Sequence, residues 1–149
     1  MNKKEQNLSN TLKKYYLQEK FFIDKIESRM TTAGIPDLLV LSPNGVQKFV
    51  ELKVAEDDYI VSLTPGQKAW HSRRNMRNVT VPFVILIEPK NKLLVVSSKR
   101  VLQWVLDKGG KIPIGEIPEE CWFDRTKTDY ATLTYATTDL YFSSPRVYK

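Results

Sequence analysis

The feature that most constrains this chain is a Ser-Pro-Asn-Gly tetrapeptide at residues 42–45, which separates two β-prone runs. Proline presets its own φ, and asparagine and glycine tolerate positive φ, so the tetrapeptide favours a tight reversal of the chain. Residues 38–41 are wholly apolar, and residues 46–54 form a mixed β-prone run. The pattern predicts a β-hairpin, in which the start of the first strand lies beside the end of the second.

Charged residues flank the open end of this hairpin. Asp37 begins the first strand, and Glu51 and Lys53 lie near the end of the second. Because side chains alternate along a strand, Glu51 and Lys53 share one face and Leu52 points to the other. Two carboxylates can hold a hard cation such as Mg²⁺, and a lysine beside them can stabilise charge on a phosphate. The alternative is a surface salt bridge between Glu51 and Lys53.

A basic helix is predicted over residues 64–78. It begins at a capping box formed by Thr64 and Gln67, with proline at the first helical position. No acidic residue occurs between Asp58 and Glu88, so the positive charge of this helix is locally uncompensated. Its basic residues are candidate DNA contacts, with an ordinary solvated face as the alternative. They are Lys68, Arg73, Arg74 and Arg77.

The single histidine, His71, falls on the same side of this helix as Gln67 and Arg74. We consider two interpretations of it. His71 contacts the scissile phosphate or the substrate, or it is a packing residue with one hydrogen bond beside Trp70. Trp70 itself is expected to belong to the core rather than to stack on bases.

The chain also begins with a predicted helix, over residues 3–19, whose apolar and aromatic residues recur at helical spacing. Asn2 and Glu5 have the spacing of a capping box. Glu5 lies on the stripe that includes Leu8 and Leu12, so it leans toward whatever that stripe packs against. The cap alone would explain Glu5, and a role at the hairpin's open end is the alternative.

Three short strings together resemble the VRR-NUC branch of the PD-(D/E)xK nuclease superfamily. They are Gly-Ile-Pro-Asp-Leu at 34–38, Val-Glu-Leu-Lys at 50–53 and Leu-Thr-Pro-Gly-Gln at 63–67. The resemblance covers about residues 8–96 and is strongest to small stand-alone phage and bacterial members. It implies a metal-dependent DNA endonuclease, often structure-selective and often a homodimer.

The resemblance also implies roles for individual residues. The catalytic residues it indicates are Asp37, Glu51, Lys53 and Gln67, the glutamine reaching the active site from the basic helix. In related nucleases an acid from the first helix, or one just before the Pro-Asp motif, joins the metal site. The metal ligands it suggests are therefore Asp37 and Glu51, with Glu5 or Glu27 completing the set.

The remainder of the chain completes an α/β pattern. Strands are predicted over residues 81–88 and 92–97, and a helix over 99–108 that stops at two glycines. Residues 129–142 are rich in threonine and tyrosine, which favours extended strand. We therefore expect a restriction-endonuclease-like core with a mixed central β-sheet flanked by helices over residues 1–110. Residues 111–149 are expected to form a C-terminal β-rich extension that packs on the core or on a dimer partner.

Composition narrows the partners and the compartment. The net charge of +6 favours a polyanionic partner. The one cysteine, Cys121, permits no internal disulfide, which fits a reducing compartment. No apolar run approaches the roughly 20 residues of a membrane span, and no signal peptide is visible. We expect a cytoplasmic protein, in the bacterial host cytoplasm if the gene is phage-encoded, and no membrane partner.

These observations together predict an Mg²⁺-dependent DNA endonuclease, with Mn²⁺ able to substitute. The resemblance further implies selectivity for branched DNA such as a Holliday junction, to which a homodimer would present two sites. The chain also contains no obvious sequence-reading module. One alternative is a sequence-specific or nicking phage nuclease. An alternative of another class is a non-catalytic nucleic-acid-binding protein.

Overall fold

The structure is a computed structural model that describes residues 1–26, 29, 33–126 and 130–137. Within these residues, six strands form one mixed sheet in sequential order. The strands are β1 (Phe22–Lys25), β2 (Leu38–Leu41), β3 (Gln47–Ala55), β4 (Pro82–Ile87), β5 (Lys92–Ser97) and β6 (Trp122–Asp124). The same residues form four α-helices. The helices are α1 (Lys3–Gln18), α2 (Pro65–Asn75), α3 (Ser98–Lys108) and α4 (Tyr130–Tyr135).

The predicted hairpin is confirmed as β2 and β3. The two strands are antiparallel, with Leu38 opposite Val50, and the backbone N–H of Gly45 donates to the Ser42 carbonyl across the turn. Gly45 has a φ of +86°, a value that glycine adopts without the steric cost of a Cβ. The register places Asp37, one residue before Leu38, at the level of Glu51.

The central pair of strands, β3 and β4, is parallel, whereas the other pairs in the sheet are antiparallel. A parallel pair requires a crossover connection, and α2 lies within it. Within this parallel pair, Glu51 is in register with Phe83. This crossover brings the beginning of α2 back to the part of β3 that carries Glu51 and Lys53.

Apolar side chains of the central strands alternate between two cores. Val84 and Leu86 of β4 pack with Leu8 and Leu12 of α1 and with Leu52 on one face of the sheet. On the other face, alternate residues of β4 and β5 pack with α3. These include Phe83, Ile85, Leu94, Val101 and Trp104. The alternation leaves Leu52 on the α1 side. Leu52 therefore points away from Glu51 and Lys53, as predicted, and these two residues face α2.

The prediction of an extended conformation for residues 129–142 is wrong in the part that the structure describes. Residues 130–135 form α4, whose Leu133 is buried together with the α1 core. The Tyr130 ring stacks on that of Tyr15 at 4.4 Å between centroids, and the Tyr16 hydroxyl donates to Thr137 Oγ1 at 2.6 Å. Burial of one helical face against α1 outweighs the weak β-propensity of Thr and Tyr.

The predicted separate β-rich extension is likewise not found among the described residues. The strand beyond residue 110, β6, pairs antiparallel with β5 and so extends the main sheet. Residues 127–129 and 138–149 lie outside the described part of the chain. In that described part, no helix combines the length and apolarity needed to cross a membrane.

Candidate active site

Two buried carboxyl groups meet at the open end of the β2–β3 hairpin, as the register predicted. Asp37 is 5% exposed and Glu51 is 0% exposed. Asp37 Oδ2 accepts the backbone N–H of Leu52 at 3.0 Å, and the two carboxyl groups are close enough to interact electrostatically. Burial, with the neighbouring Glu51, raises the pKa of Asp37 to about 8. Burial also raises the pKa of Glu51. Without a cation, this pair therefore holds a proton at neutral pH.

Lys53 and Gln67 complete the edge of this pocket. Lys53 Nζ donates to Gln67 Oε1 at 3.0 Å, and the same oxygen accepts the backbone N–H of Thr64 at 3.0 Å. The Thr64 side chain in turn accepts the backbone N–H of Gln67. Gln67 thus caps α2, as predicted, and also contacts Lys53. The salt-bridge alternative for Glu51 and Lys53 does not fit, because Glu51 is buried and Lys53 is bonded to an amide.

Gly34 determines how closely the Pro-Asp loop approaches α2. Its φ is +106°, and a Cβ at this position would lie 2.2 Å from the Gly66 carbonyl oxygen and 3.0 Å from the Gln67 nitrogen. A residue with a Cβ at position 34 could not approach the backbone of α2 this closely. The glycine of the Gly-Ile-Pro-Asp-Leu string therefore holds Asp37 and Gln67 in one pocket.

His71 lies behind Glu51 rather than on the protein surface. It is 0% exposed, and its Nε2 lies 3.4 Å from Glu51 Oε1. Its ring packs 5.0 Å from the rings of both Trp70 and Phe83, measured between centroids. Burial lowers the pKa of His71 to about 4. The expectation of a direct DNA contact is thus at odds with this placement, and the packing interpretation with one hydrogen bond agrees with it.

Glu5 stands at the border of the pocket. The predicted capping box is confirmed, since the Glu5 backbone N–H donates to Asn2 Oδ1 at 2.9 Å and the Asn2 N–H donates to Glu5 Oε1 at 3.4 Å. Partial burial raises the pKa of Glu5, Lys53 opposes that rise and Asp37 adds to it. Glu5 is therefore close enough to feel the charges of the pocket. Glu27, the other suggested ligand, lies outside the described residues.

The donor set of the pocket fits a hard divalent cation. Glu51 Oε2 is buried and has no hydrogen-bond partner, which is a costly state for a carboxylate oxygen unless a ligand completes it. Among the described residues, no three His, Cys, Asp or Glu side chains gather into a metal-binding group. Mg²⁺ commonly takes only one or two protein carboxylates, together with waters and substrate phosphates. Asp37 and Glu51 supply that number.

The basic residues of the helix divide into two groups. Lys68 and Arg73 on α2, and Arg77 just after it, are exposed. Arg74 instead folds back, with its guanidinium 3.5 Å from the centroid of the Trp70 ring and a hydrogen bond to the Trp70 carbonyl. Trp70 is 5% exposed, which confirms it as a core residue. The exposed surface formed by Lys68, Arg73 and Arg77 is called the basic face below.

Sequence reasoning brought Gln67 to the pocket but missed that His71 is buried against Glu51. Gln67 and His71 are four residues apart and were correctly placed on one side of the helix, and that side contacts both Lys53 and Glu51. The available signal was that spacing combined with Trp70 at the neighbouring position. A helix that buries Trp70 also turns the adjacent His71 inward.

The chain is similar in sequence to a solved domain of known family. No protein-family model matches the chain, and no curated protein does so. A solved structure of a VRR_NUC domain is 31% identical to this chain, and the match covers 56% of this chain and 85% of that domain, with a TM-score of 0.44. The identity over most of that domain, rather than the superposition, carries the assignment. Together with the Pro-Asp, Glu-x-Lys and Gln motifs gathered in one pocket, it shows that the chain belongs to the VRR_NUC domain family.

Proposed function

We propose that this protein is an Mg²⁺-dependent endonuclease that hydrolyses phosphodiester bonds in DNA, with branched DNA as its preferred substrate. The observation that carries the proposal is the buried pair of Asp37 and Glu51 beside Lys53, one of whose carboxylate oxygens lacks any partner. Such a pair has no evident structural purpose, because buried carboxylates destabilise a fold unless a cation or donor completes them. Membership of the VRR_NUC family supports nuclease activity.

Each residue of the pocket has a chemical role in this proposal. Asp37 and Glu51 would hold the cation, with Glu5 or Glu27 as a further acidic group. The chemistry that Mg²⁺ would supply there is polarisation of a phosphoryl oxygen and activation of a water near neutral pH. Lys53 positions the attacking water and offsets negative charge that develops on the phosphate oxygens. Gln67 accepts a hydrogen bond from Lys53 and so fixes the direction of its ammonium group.

The basic face is proposed to bind the DNA backbone next to the pocket. Gln67 lies in the first turn of α2, and an α-helix rises about 1.5 Å per residue. Arg73 therefore lies roughly 9 Å along the helix axis from Gln67, which is a short span of a DNA strand. Phosphate contacts of this kind fix the register of DNA without reading its sequence. A DNA backbone bound along α2 would pass the pocket at the N-terminal end of the helix.

The preference for branched DNA and the homodimer are finer parts of the proposal. Phosphate contacts without a sequence-reading module favour recognition of DNA shape over base sequence. A four-way junction presents two equivalent strands for cutting, which a two-fold symmetric dimer would match. The proposed products carry a 5′-phosphate and a 3′-hydroxyl, as the family resemblance implies.

The deciding experiment compares substrates and cations in one assay. The purified protein is incubated with end-labelled four-way junction, flap and linear duplex, in Mg²⁺, Mn²⁺ or EDTA. Lys53→Ala is assayed in parallel, with Lys13→Ala, an exposed lysine of α1, as the matched control. We expect cation-dependent cutting that Lys53→Ala reduces by roughly 10²- to 10³-fold and that Lys13→Ala preserves. We also expect the junction to be cut fastest.

Other outcomes separate the remaining alternatives. Equal cutting of all three substrates, or cutting at a fixed base sequence, would remove branch selectivity while keeping the nuclease. Tight DNA binding with no cutting in any cation would remove the catalytic proposal and favour a nucleic-acid-binding protein. Sedimentation of the protein alone and with the junction tests the dimer, which a monomeric active complex would contradict.

A further inference from the structure

We propose that His71 is a positioning residue for Glu51, and that it reserves one oxygen of that carboxylate, Oε2, for the divalent cation. This inference rests on the proposed function in one respect, that Glu51 binds a cation. It assigns no substrate contact to His71. It differs from both sequence-based interpretations, because neither DNA contact nor packing alone gives His71 a part in cation binding.

The two carboxylate oxygens of Glu51 differ in their hydrogen-bond partners. Oε1 lies 3.4 Å from His71 Nε2, whereas Oε2 is buried and has no hydrogen-bond partner. A carboxylate that binds a cation is ionised, so its oxygens can only accept hydrogen bonds. Nε2 must then carry the ring proton and donate it to Oε1. The contact thus occupies Oε1 and leaves Oε2 as the free ligand atom.

The His71 ring is held in place by the residues packed around it. His71 is anchored on α2, and its ring packs against those of Trp70 and Phe83, each at 5.0 Å between centroids. Phe83 pairs in register with Glu51 across the β3–β4 boundary. The donor and the carboxylate are therefore held by two adjoining strands and the helix that connects them. His71 Nδ1 is buried without a partner, so the Glu51 contact is the ring's one hydrogen bond among the described residues.

Asp37 is held by a protein donor in the same way as Glu51. Asp37 Oδ2 accepts the backbone N–H of Leu52, so one oxygen of this carboxylate is also held by a protein donor. His71 supplies for Glu51 what the Leu52 amide supplies for Asp37. Donors that hold metal-ligating carboxylates orient them, and their loss typically costs about 10- to 100-fold in metal affinity or activity.

The test measures cation binding to the protein without DNA, by calorimetric titration with Mn²⁺. Three variants separate the possible roles of His71. His71→Leu keeps the approximate volume and removes the donor. His71→Gln places an amide donor near the position of Nε2, and His71→Asn is polar but too short to reach Glu51. Glu51→Gln serves as the control for loss of the ligand itself.

We expect His71→Leu and His71→Asn to weaken Mn²⁺ binding by roughly 10-fold or more, and His71→Gln to recover most of the affinity. Binding of junction DNA in EDTA should be equal in the wild type and the three His71 variants. Equal Mn²⁺ affinity across the three variants would overturn the proposal, as would a His71→Gln variant no better than His71→Leu. Reduced DNA binding in EDTA would instead favour a direct DNA contact and overturn it as well.

A second measurement guards against variants that are merely less stable. The thermal midpoint is recorded without cation and with saturating Mn²⁺, and the increase caused by Mn²⁺ is compared between His71→Gln and His71→Asn. The proposal requires a larger increase for His71→Gln. The outcome is independent of cutting, so a wild-type protein that binds Mn²⁺ but cleaves nothing would refute the proposed function and leave this inference standing.

Discussion

The charged residues of the pocket are buried, whereas those of the basic face are exposed. In the pocket, Asp37, Glu51 and His71 are at most 5% exposed, and each has one protein partner that fixes its direction. On the basic face, Lys68, Arg73 and Arg77 are exposed to solvent. Both regions meet on α2, which begins in the pocket and ends at the basic face. One helix therefore connects a rigid buried site to a screened surface.

The burial of the pocket and the exposure of the basic face determine how strongly a single charge acts in each region. A buried charge interacts strongly because little water screens it, and it needs a complete set of partners for the same reason. Single substitutions in the pocket should therefore have large effects. Exposed charges are screened by salt, and each phosphate contact adds a modest share of affinity. Substitutions on the basic face should be small and cumulative.

The largest expected effect is that of Glu51→Gln, which keeps the shape of the side chain and removes its charge. We expect cutting to fall by roughly 10²- to 10³-fold while DNA binding in EDTA is preserved. The metal-free protein should also become more stable, since a buried carboxylate beside Asp37 is replaced by a neutral group. Cleavage rates and thermal midpoints measure both. A variant that loses stability would indicate that the carboxylate is structural and would weaken the contrast between the regions.

Next in size is the backbone contact that closes the pocket. Gly34→Ala meets the Gly66 carbonyl at 2.2 Å and also has a φ of +106°. Gly45→Ala is the matched control, because Gly45 has a φ of +86° but open space around it. The control should lose about 1–2 kcal/mol from its φ alone, and Gly34→Ala distinctly more. Urea denaturation measures the difference. Equal losses would show that α2 can retreat and that the pocket is less rigid than described.

The pH dependence of stability should reveal the protonation of the buried pocket. Asp37 has a pKa of about 8 in the folded protein and an ordinary value of 3.8, so the folded state binds more protons between these limits. Stability in EDTA should therefore fall as pH rises from 6.5 to 8.5, by at most about 1.4 kcal/mol per pH unit for this group. Below pH 6.5, His71, with its pKa lowered to about 4, acts in the opposite direction.

Urea titrations at several pH values measure this slope, with Asp37→Asn as the control. The variant should show a flatter profile over the same window, because the titrating carboxyl is gone. The apparent affinity of the wild type for Mn²⁺ should rise across that window, as the proton leaves the pair. Identical slopes for the wild type and Asp37→Asn would mean that the carboxylates are better solvated than their burial indicates.

The smallest expected effect belongs to the basic face. Arg77→Ala should weaken junction binding in EDTA modestly and lower the slope of log affinity against log salt by about one. Lys108→Ala, an exposed basic residue in the last turn of α3, is the control and should change neither. Fluorescence anisotropy at several salt concentrations measures both quantities. Equal effects of the two substitutions would indicate diffuse attraction by net charge rather than a basic face.

Local chemistry made part of this molecule predictable. The Ser-Pro-Asn-Gly turn and the alternation along β3 were sufficient to place Asp37, Glu51 and Lys53 at one point, since hairpin geometry is short-range. The capping boxes at Asn2 and Thr64 likewise predicted where α1 and α2 begin. The family resemblance then predicted that the same residues form a nuclease site. These inferences needed only neighbours within about 15 residues of one another.

Long-range packing decided the rest. The hairpin, the caps and the acidic motif could be predicted locally, because turn and capping preferences act between nearby residues. Only the tertiary structure decided that residues 130–135 form a helix, since burial of Leu133 against α1 overrides the local preference. It also decided that His71 faces Glu51. That contact depends on the crossover that returns α2 to β3, and no local pattern encodes how closely two distant segments approach.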